Sequence, residues 1–255
     1  MKRTDWTRCA TLTAALVAIS APLHAQQQRV FRDTLPWTTR QHTARAPGCV
    51  GRECSSVELA WPDFGSRPGP MARVNELLLI SLLNGDDAGV RHRNITALTD
   101  AFLRAARSSD SAGMPWDAKR TIAVRCNTQS RVLLQTDEYS FTGGAHGLLS
   151  SHFDAFVPVT GARVSDRVMV PLSTRAELTP IVERAFRRER ELPATGSLME
   201  AGYTFKDDHF ELGLAFLAVC GSSLFVHWNV YAIAPYAAGP THLVIPLDSV
   251  PMLRQ

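Results

Sequence analysis

The chain has 255 residues, and its 27 Lys and Arg against 24 Asp and Glu leave a formal net charge of +3. Part of this small excess lies at the N-terminus, in Lys2, Arg3 and Arg8. The remainder is nearly balanced, which gives no electrostatic basis for binding nucleic acid. A chain of this length is sufficient for one large or two small domains.

The N-terminus has the pattern of a secretory signal peptide. A basic head precedes an apolar run from Cys9 to Pro22, and Leu23-His24-Ala25 suits a signal peptidase. The run is shorter than the about 20 apolar residues of a membrane-spanning helix, although an uncleaved anchor is the alternative. We therefore expect residues 1–25 to be removed. The mature chain would be periplasmic or secreted, without a further membrane segment.

Four cysteines remain after the predicted cleavage point: Cys49, Cys54, Cys126 and Cys220. An even number in an exported chain indicates disulfides, with three possible pairings. We favour Cys49–Cys54 and Cys126–Cys220, because Cys126 and Cys220 each share the phase of the apolar side chains in their predicted strands. A zinc site is the alternative, but no second close Cys or His pair accompanies Cys49 and Cys54.

The first half of the chain passes from polar sequence into strand and helix patterns. Residues 26–54 are polar and aperiodic, so we predict a flexible lead-in that ends in a small disulfide loop. Residues 55–255 would form the folded domain. Its first strand is SVELAWP, and two helices follow in MARVNELLLISLLNG and ITALTDAFLRAAR, where apolar residues share one face.

The second half of the chain alternates between strand and helix patterns. Strands are predicted at Thr121–Cys126, Arg131–Thr136, Tyr139–Phe141 and Leu148–Val157. A helix follows, with Thr179-Pro180 as its N-cap and first turn. The last strands are Phe210–Cys220, Ser223–Tyr231 and THLVIP, before a short helix in LDSVPML. The pattern predicts an α+β fold with a mostly antiparallel sheet and helices packed on one face.

The segment YSFTGGAHG is the most unusual part of the interior sequence. Its three glycines permit positive φ and leave backbone amides uncovered, which suits a ligand-facing loop with His146 at the tip. The alternative is a glycine-rich hairpin in which His146 bonds the backbone. The segment is not a phosphate loop or a dinucleotide fingerprint, because the Gly-Lys-Ser/Thr ending and the following helix are missing.

A second unusual segment, NVYAIAPYAAGP, joins two predicted strands near the end of the chain. It is longer than an ordinary hairpin turn, and it contains no charged residue. Tyr236 stands between Pro235 and Gly239. Aromatic, proline-containing loops on a rigid sheet often carry protein or glycan contacts, while core packing is the alternative.

The sequence contains no recognisable catalytic or metal-binding motif. His146, His152 and Asp154 would make a metal triad, but strand parity turns His152 and Asp154 outward, as on a sheet with one wet face. The chain has no G-x-S-x-G elbow, and no pair of carboxylates is recognisable as catalytic. We therefore predict no catalytic residue, no metal ligand and no cofactor.

Three segments occur in an order and at a spacing typical of one bacterial domain family: YSFTGGAHG, FDAFVPVTGARV and NVYAIAPYAAGPTHLVIPL. Over roughly Ser55 to Leu253 the chain resembles these extracytoplasmic domains of largely unknown function. The family includes the external domain of the RsiV anti-sigma factor, which binds lysozyme, and the non-catalytic N-terminal region of a peptidoglycan deacetylase. The resemblance implies an α+β fold with helices on one side of an antiparallel sheet.

The resemblance also directs attention to the two unusual loops. We see no sigma-binding segment and no deacetylase domain, so we expect neither activity. By matching position, the candidate ligand-binding residues are Tyr139, Thr142, Gly143, Gly144, His146, Gly147, Tyr231, Pro235, Tyr236 and Gly239.

The first hypothesis is an exported, non-enzymatic binding module. Its partner would be an envelope protein or a peptidoglycan-related ligand, and a lysozyme-like muramidase is the candidate named by the resemblance. The alternatives are an envelope hydrolase with His146 as base, and a structural envelope protein without a discrete ligand.

Overall fold

The computed structural model describes residues 35–49, 54–65, 69–83, 90–109 and 114–253. The signal peptide predicted for residues 1–25 lies outside these ranges. Within them, no helix is both long enough and apolar enough to cross a membrane.

A six-stranded sheet forms the centre of the fold. Its strands lie side by side in chain order: β1 (Thr38–Arg45), β2 (Ser56–Asp63), β3 (Asp117–Asn127), β4 (Val132–Phe141), β5 (Leu148–Phe156) and β6 (Arg163–Val164). Of the described strand pairs in this sheet, β2 with β3 is parallel and the others are antiparallel. A parallel pair needs a crossover connection, and here the crossover carries two helices.

Helices α1 (Pro70–Leu82) and α2 (Ile95–Ser108) cover one face of this sheet. Val74, Leu78 and Leu82 recur every four residues along α1, and all three are buried. They share a core with the strand residues Val57, Leu59, Ile122, Val132, Leu134 and Phe156. Asn94 caps α2, because its Oδ1 accepts a hydrogen bond of 2.8 Å from the backbone N–H of Ala97.

A second sheet covers the opposite face. It has three antiparallel strands, β7 (Phe216–Cys220), β8 (Ser223–Trp228) and β9 (Thr241–Pro246). Its core includes Leu133, Phe153 and Ala155 of the large sheet and the buried face of helix α4 (Arg175–Glu189). The short helix α3 (Asp166–Met169) precedes α4. The α+β class with mostly antiparallel pairing is therefore confirmed, with its strands divided between two sheets.

Several element boundaries differ from those predicted. Thr38–Arg45 forms an edge strand on β2, within the stretch predicted as a flexible lead-in. Helix α4 begins at Arg175, so that Pro180 lies inside the helix and not in its first turn. The helix starts earlier because Leu178, which precedes the proline, is fully buried together with Val182. Tertiary packing thus outweighs the local preference of proline for the first turn.

The strand lengths also differ from the prediction. Strand β4 runs without interruption from Val132 to Phe141, where two strands were predicted. Strand β7 begins at Phe216 rather than Phe210, and β8 ends at Trp228 rather than Tyr231. Strand β8 ends there because Asn229 directs its side chain to another strand, as described below.

The structure contains both predicted disulfides, Cys49–Cys54 and Cys126–Cys220. Strand parity, from which the second was predicted, does not hold up to Cys126. The register between β3 and β4 shifts between Val124 and Cys126, which is a β-bulge. As a result Ile122 belongs to the helix-side core, whereas Cys126 belongs to the core between the sheets, where Cys220 lies.

Candidate functional site

The two unusual loops meet on the folded protein. Loop A is residues 142–147, between β4 and β5, and loop B is residues 229–240, between β8 and β9. The ring of His146 stacks on that of Tyr236, with centroids 4.4 Å apart and planes inclined by 20°. Tyr231 packs on Tyr236 at 5.5 Å and 39°. We call loops A and B, together with Tyr139, the two-loop surface. The rings of His146, Tyr236 and Tyr231 form its aromatic row.

Loop A depends on its glycines. Gly143 and Gly144 have φ values of 100° and 104°, a region that side chains rarely adopt. Gly147 is buried against Tyr139, and a Cβ at position 147 would lie 2.4 Å from atoms of that ring. Loop A therefore requires glycine at position 147 for a steric reason. The Tyr139 ring packs directly against this glycine and supports the loop.

We expect Gly147→Ala to destabilise the fold by about 1–3 kcal/mol, the usual cost of overpacking. The added methyl group forces the Tyr139 ring out of its position, and the free energy of unfolding measured with urea reports the loss. In a Tyr139→Ala background the same substitution should cost much less, because the clashing ring is absent. An equal cost in both backgrounds would contradict the packing described here.

His146 lies at the exposed tip of loop A. Its Nδ1 is 2.9 Å from the carbonyl oxygen of Gly147, so a proton on Nδ1 is donated to the backbone. The hydrogen bond predicted for the hairpin alternative is thus present, in the same residue that stacks on loop B. In the described part of the chain, His146 has no hydrogen bond to a serine, a cysteine or a carboxylate.

Asn229 fixes the start of loop B to the large sheet. Its Oδ1 accepts a hydrogen bond of 2.7 Å from the backbone N–H of Ser151, and its Nδ2 donates one of 2.8 Å to the Ser151 carbonyl. The Ser151 hydroxyl in turn donates to Asp137 at 2.6 Å. A single amide side chain therefore pairs with β5 as another strand would, and it ends β8.

Arg190, which directly follows α4, fixes the other end of loop B. Its guanidinium donates to the carbonyl oxygens of Ala238 at 3.1 Å and of Pro240 at 3.0 Å. Its Nε also donates to the hydroxyl of Thr241 at 3.1 Å. These bonds enclose Gly239, which has a φ of 68°. The planar fork of arginine suits several acceptors at once, which a lysine cannot match.

We expect Arg190→Lys to loosen loop B without unfolding the protein. The ammonium group donates from a single nitrogen atom and cannot span acceptors that Arg190 reaches from three, so amide hydrogens of residues 236–241 should exchange with solvent at least several-fold faster. Hydrogen–deuterium exchange followed by mass spectrometry measures this. Arg188→Lys, at an exposed position in the last turn of α4, is the control. Unchanged exchange in Arg190→Lys would show that Arg190 does not hold the loop.

Tyr236 and Tyr231 occupy different positions in the aromatic row. Pro235 begins a single helical turn, in which Tyr236 is half-buried between His146 and Tyr231. Tyr231 is 56% exposed and has a φ of 64°. A left-handed conformation costs a non-glycine residue roughly 1–2 kcal/mol. Tyr236 therefore anchors the row, while Tyr231 presents its ring to solvent in a strained backbone.

The two-loop surface has no charge of its own. Residues 139–147 and 229–240 include no Asp, Glu, Lys or Arg. Thr142, Gly144 and His146 of loop A and Tyr231 and Pro235 of loop B are exposed. The surface thus offers aromatic faces together with neutral hydrogen-bonding groups.

His152 and Asp154 do not join this surface. They lie half-buried on the side of β5 that faces α1, where His152 Nε2 is 3.5 Å from the Ser81 hydroxyl and Asp154 forms an ion pair with Arg163. Their predicted outward position is therefore partly covered by a helix. Among the residues that the structure describes, no group of three or more His, Cys, Asp or Glu is placed to hold a metal ion.

Sequence reasoning missed a cleft on the helix side of the large sheet. It has a volume of about 1130 Å³ and lies between α1, α2 and the strands β4 and β5. Tyr139 and Thr142 line it, so that it borders loop A. No sequence pattern predicts the cleft, because its walls come from helices and strands that are distant in the chain.

A polar cluster between the two sheets was also missed. His227 and His242 are partners in the β8–β9 register, with ring centroids 5.9 Å apart, and Arg125 Nη2 is 3.3 Å from His242 Nε2. Burial lowers the pKa of His227. Burial, aided by Arg125, lowers the pKa of His242 to about 4. The available signal was one histidine in each of two neighbouring strands, His227 in SLFVHW and His242 in THLVIP.

Comparisons with known proteins place this fold among related structures. Residues 168–248 match a family model described as a protein of unknown function, DUF3298. No curated protein matches the chain. A crystal structure of a DUF3298 family protein from Pseudomonas aeruginosa is similar, with 21% identity and a TM-score of 0.65, covering 86% of this chain and 94% of that one.

A DUF3298 protein from Bacteroides fragilis is similar to the same degree. Its TM-score is 0.65 at 15% identity, and the match covers 86% of this chain and 93% of the other. At these identities the likeness concerns the fold. The chain thus has the fold of DUF3298 proteins, and its segment 168–248, which includes loop B, matches the model of that family.

Proposed function

We propose that this protein is an exported, non-enzymatic binding module that holds an envelope protein or a cell-wall glycan on the two-loop surface. The observation that carries the proposal is the stacking of His146 on Tyr236, which joins two uncharged loops into one surface. Loops held on a rigid sheet commonly carry binding functions.

Further features support this proposal. The disulfides Cys49–Cys54 and Cys126–Cys220 suit an oxidising compartment such as the periplasm or the exterior. Both loops lie in the segments that resemble the RsiV-like extracytoplasmic domains. Lysozyme-like muramidases are the partner named by that resemblance.

The test is affinity capture from envelope extract, with lysozyme as an added probe. We expect the wild-type protein to retain a partner, and Tyr236→Ala to lose at least tenfold of that retention, because removing the anchor ring separates the rest of the row. Val168→Ala, at a position 64% exposed on α3, should retain the partner. Circular dichroism checks that the variants are folded.

Retention that is equal in wild type and Tyr236→Ala would contradict the proposal. Failure of the wild-type protein to retain any component would favour a structural envelope protein. An envelope hydrolase with His146 as base is the other alternative. In that case envelope material would be cleaved by the wild-type protein and not by a folded His146→Ala variant.

A further inference from the structure

We propose that the ligand of the two-loop surface is a neutral glycan, one of whose sugar rings stacks on Tyr231. This inference rests on the proposed function and narrows it to one chemical class. It is carried by the geometry of the aromatic row, by the backbone of Tyr231 and by the absence of charge in both loops.

Tyr231 has the position expected of a stacking platform. Tyr231 is 56% exposed, and its ring packs on Tyr236 at 5.5 Å between centroids, while Tyr236 stacks on His146 at 4.4 Å. An aromatic ring has a negative face, which attracts the weakly positive C–H groups on the flat side of a pyranose. The supported ring loses little conformational freedom when such a sugar binds.

The backbone at Tyr231 indicates that its position is functional. Its φ of 64° is unfavourable for a tyrosine, and the 56% exposure of the side chain means that burial compensates little of that cost. Strained residues of this kind concentrate at binding sites, where the surrounding structure holds them. Here Asn229 and its two hydrogen bonds to Ser151 fix the backbone immediately before the strained residue.

The neutrality of the loops argues for the class of ligand. An anionic ligand is usually held by arginine or lysine, and residues 139–147 and 229–240 contain neither. Arg190 lies against loop B, but it donates its hydrogen bonds to Ala238, Pro240 and Thr241 of the protein itself. A cationic ligand would find no carboxylate in these segments. Sugar hydroxyls instead match the neutral groups that loop A exposes, the Thr142 hydroxyl and the His146 ring.

The size of the aromatic row also favours a glycan over a protein as the ligand. A buried aromatic side chain covers about 150–250 Å², and only part of each ring in the row is free. The three rings alone therefore supply less than the about 800 Å² that each partner contributes to a standard protein–protein interface. They match one or two sugar rings.

Binding of the purified protein to soluble oligosaccharides tests the inference. The probes are hexamers of N-acetylglucosamine and of glucose, measured by isothermal titration calorimetry, and insoluble chitin, a neutral polymer of N-acetylglucosamine, measured by co-sedimentation. The variants are Tyr231→Ala, which removes the ring, Tyr231→Phe, which keeps it, and Val168→Ala as the control outside both loops.

We expect the wild-type protein to bind at least one of these glycans, and to bind as well in 1 M NaCl as in dilute buffer, because no charge takes part. Tyr231→Ala should weaken binding at least tenfold, while Tyr231→Phe and Val168→Ala should stay within about threefold. Thermal unfolding that matches the wild type shows that the weaker binding of Tyr231→Ala is local.

The inference is overturned if the wild-type protein binds none of the three glycans, if salt abolishes binding, or if Tyr231→Ala binds as the wild type does. The proposed function is judged separately. If no glycan binds but an envelope protein is captured and lost in Tyr236→Ala, the glycan inference fails and the binding module stands. If neither ligand is retained, both fail.

Discussion

Replacing Cys126 and Cys220 together with alanine is expected to lower the free energy of unfolding by about 4–5 kcal/mol in the chain-entropy model. The two residues are 94 positions apart, so the bond restricts a long loop in the unfolded chain. It also joins β3 of the large sheet to β7 of the small one. Their burial, at 3% and 2% exposure, makes alanine a better replacement than serine. Urea unfolding of the oxidised proteins measures the difference.

The other disulfide supplies the matched control. Cys49 and Cys54 are only 5 positions apart, and the same model gives about 2 kcal/mol for so short a loop. The double alanine variant at these positions should therefore be clearly more stable than the first. If the two double variants lose equal stability, the long-range bond does not carry the coupling between the sheets.

Acid is expected to destabilise the protein through the histidines between the sheets. The pKa of His227 is lowered by burial, and that of His242 is lowered to about 4 by burial and by Arg125. In the unfolded chain both should titrate near their ordinary value of about 6.5. Above that pH both states hold neutral rings, so the stability is complete. Below it the unfolded state binds protons first, and the folded state loses stability until His242 protonates near pH 4.

The expected loss from His242 is up to about 3 kcal/mol between pH 7 and pH 4, at 1.36 kcal/mol for each unit of pKa difference. The charged groups that act on the pair are Arg125, which opposes protonation, and Asp137, which favours it. Denaturant unfolding at pH 7.5, 5.5 and 4 measures the slope of the free energy of unfolding against pH. His242→Gln should flatten it, whereas His209→Gln, at an exposed position, should not. An unchanged slope in His242→Gln would contradict this assignment.

The local features of the two-loop surface were readable in the sequence, but their supports were not. The glycines of loop A and the Pro–Gly frame of loop B are short-range patterns with a direct conformational meaning. Arg190 and Asn229 act through hydrogen bonds to residues distant in the chain. Neither residue belongs to a recognisable motif, so their roles required the folded structure.

The strands were also only partly predictable from the alternation of apolar and polar residues. Residues Thr38–Arg45 lack an apolar phase because most of this edge strand is exposed, and pairing with β2 makes it a strand. The bulge beside Cys126 inserts one residue into β3, which alternation alone cannot reveal. Alternation did place Phe153 and Ala155 correctly in the core between the sheets.

We propose that an envelope ligand is bound on the two-loop surface. The most direct measurement is site-specific crosslinking in cells, with a photoreactive amino acid in place of Tyr231 and, in a second strain, of Val168. The two positions are 56% and 64% exposed, so accessibility does not favour the first. We expect a discrete adduct, protein or glycan, from position 231 and none from position 168. Equal adducts from both positions, or none from position 231, would contradict it.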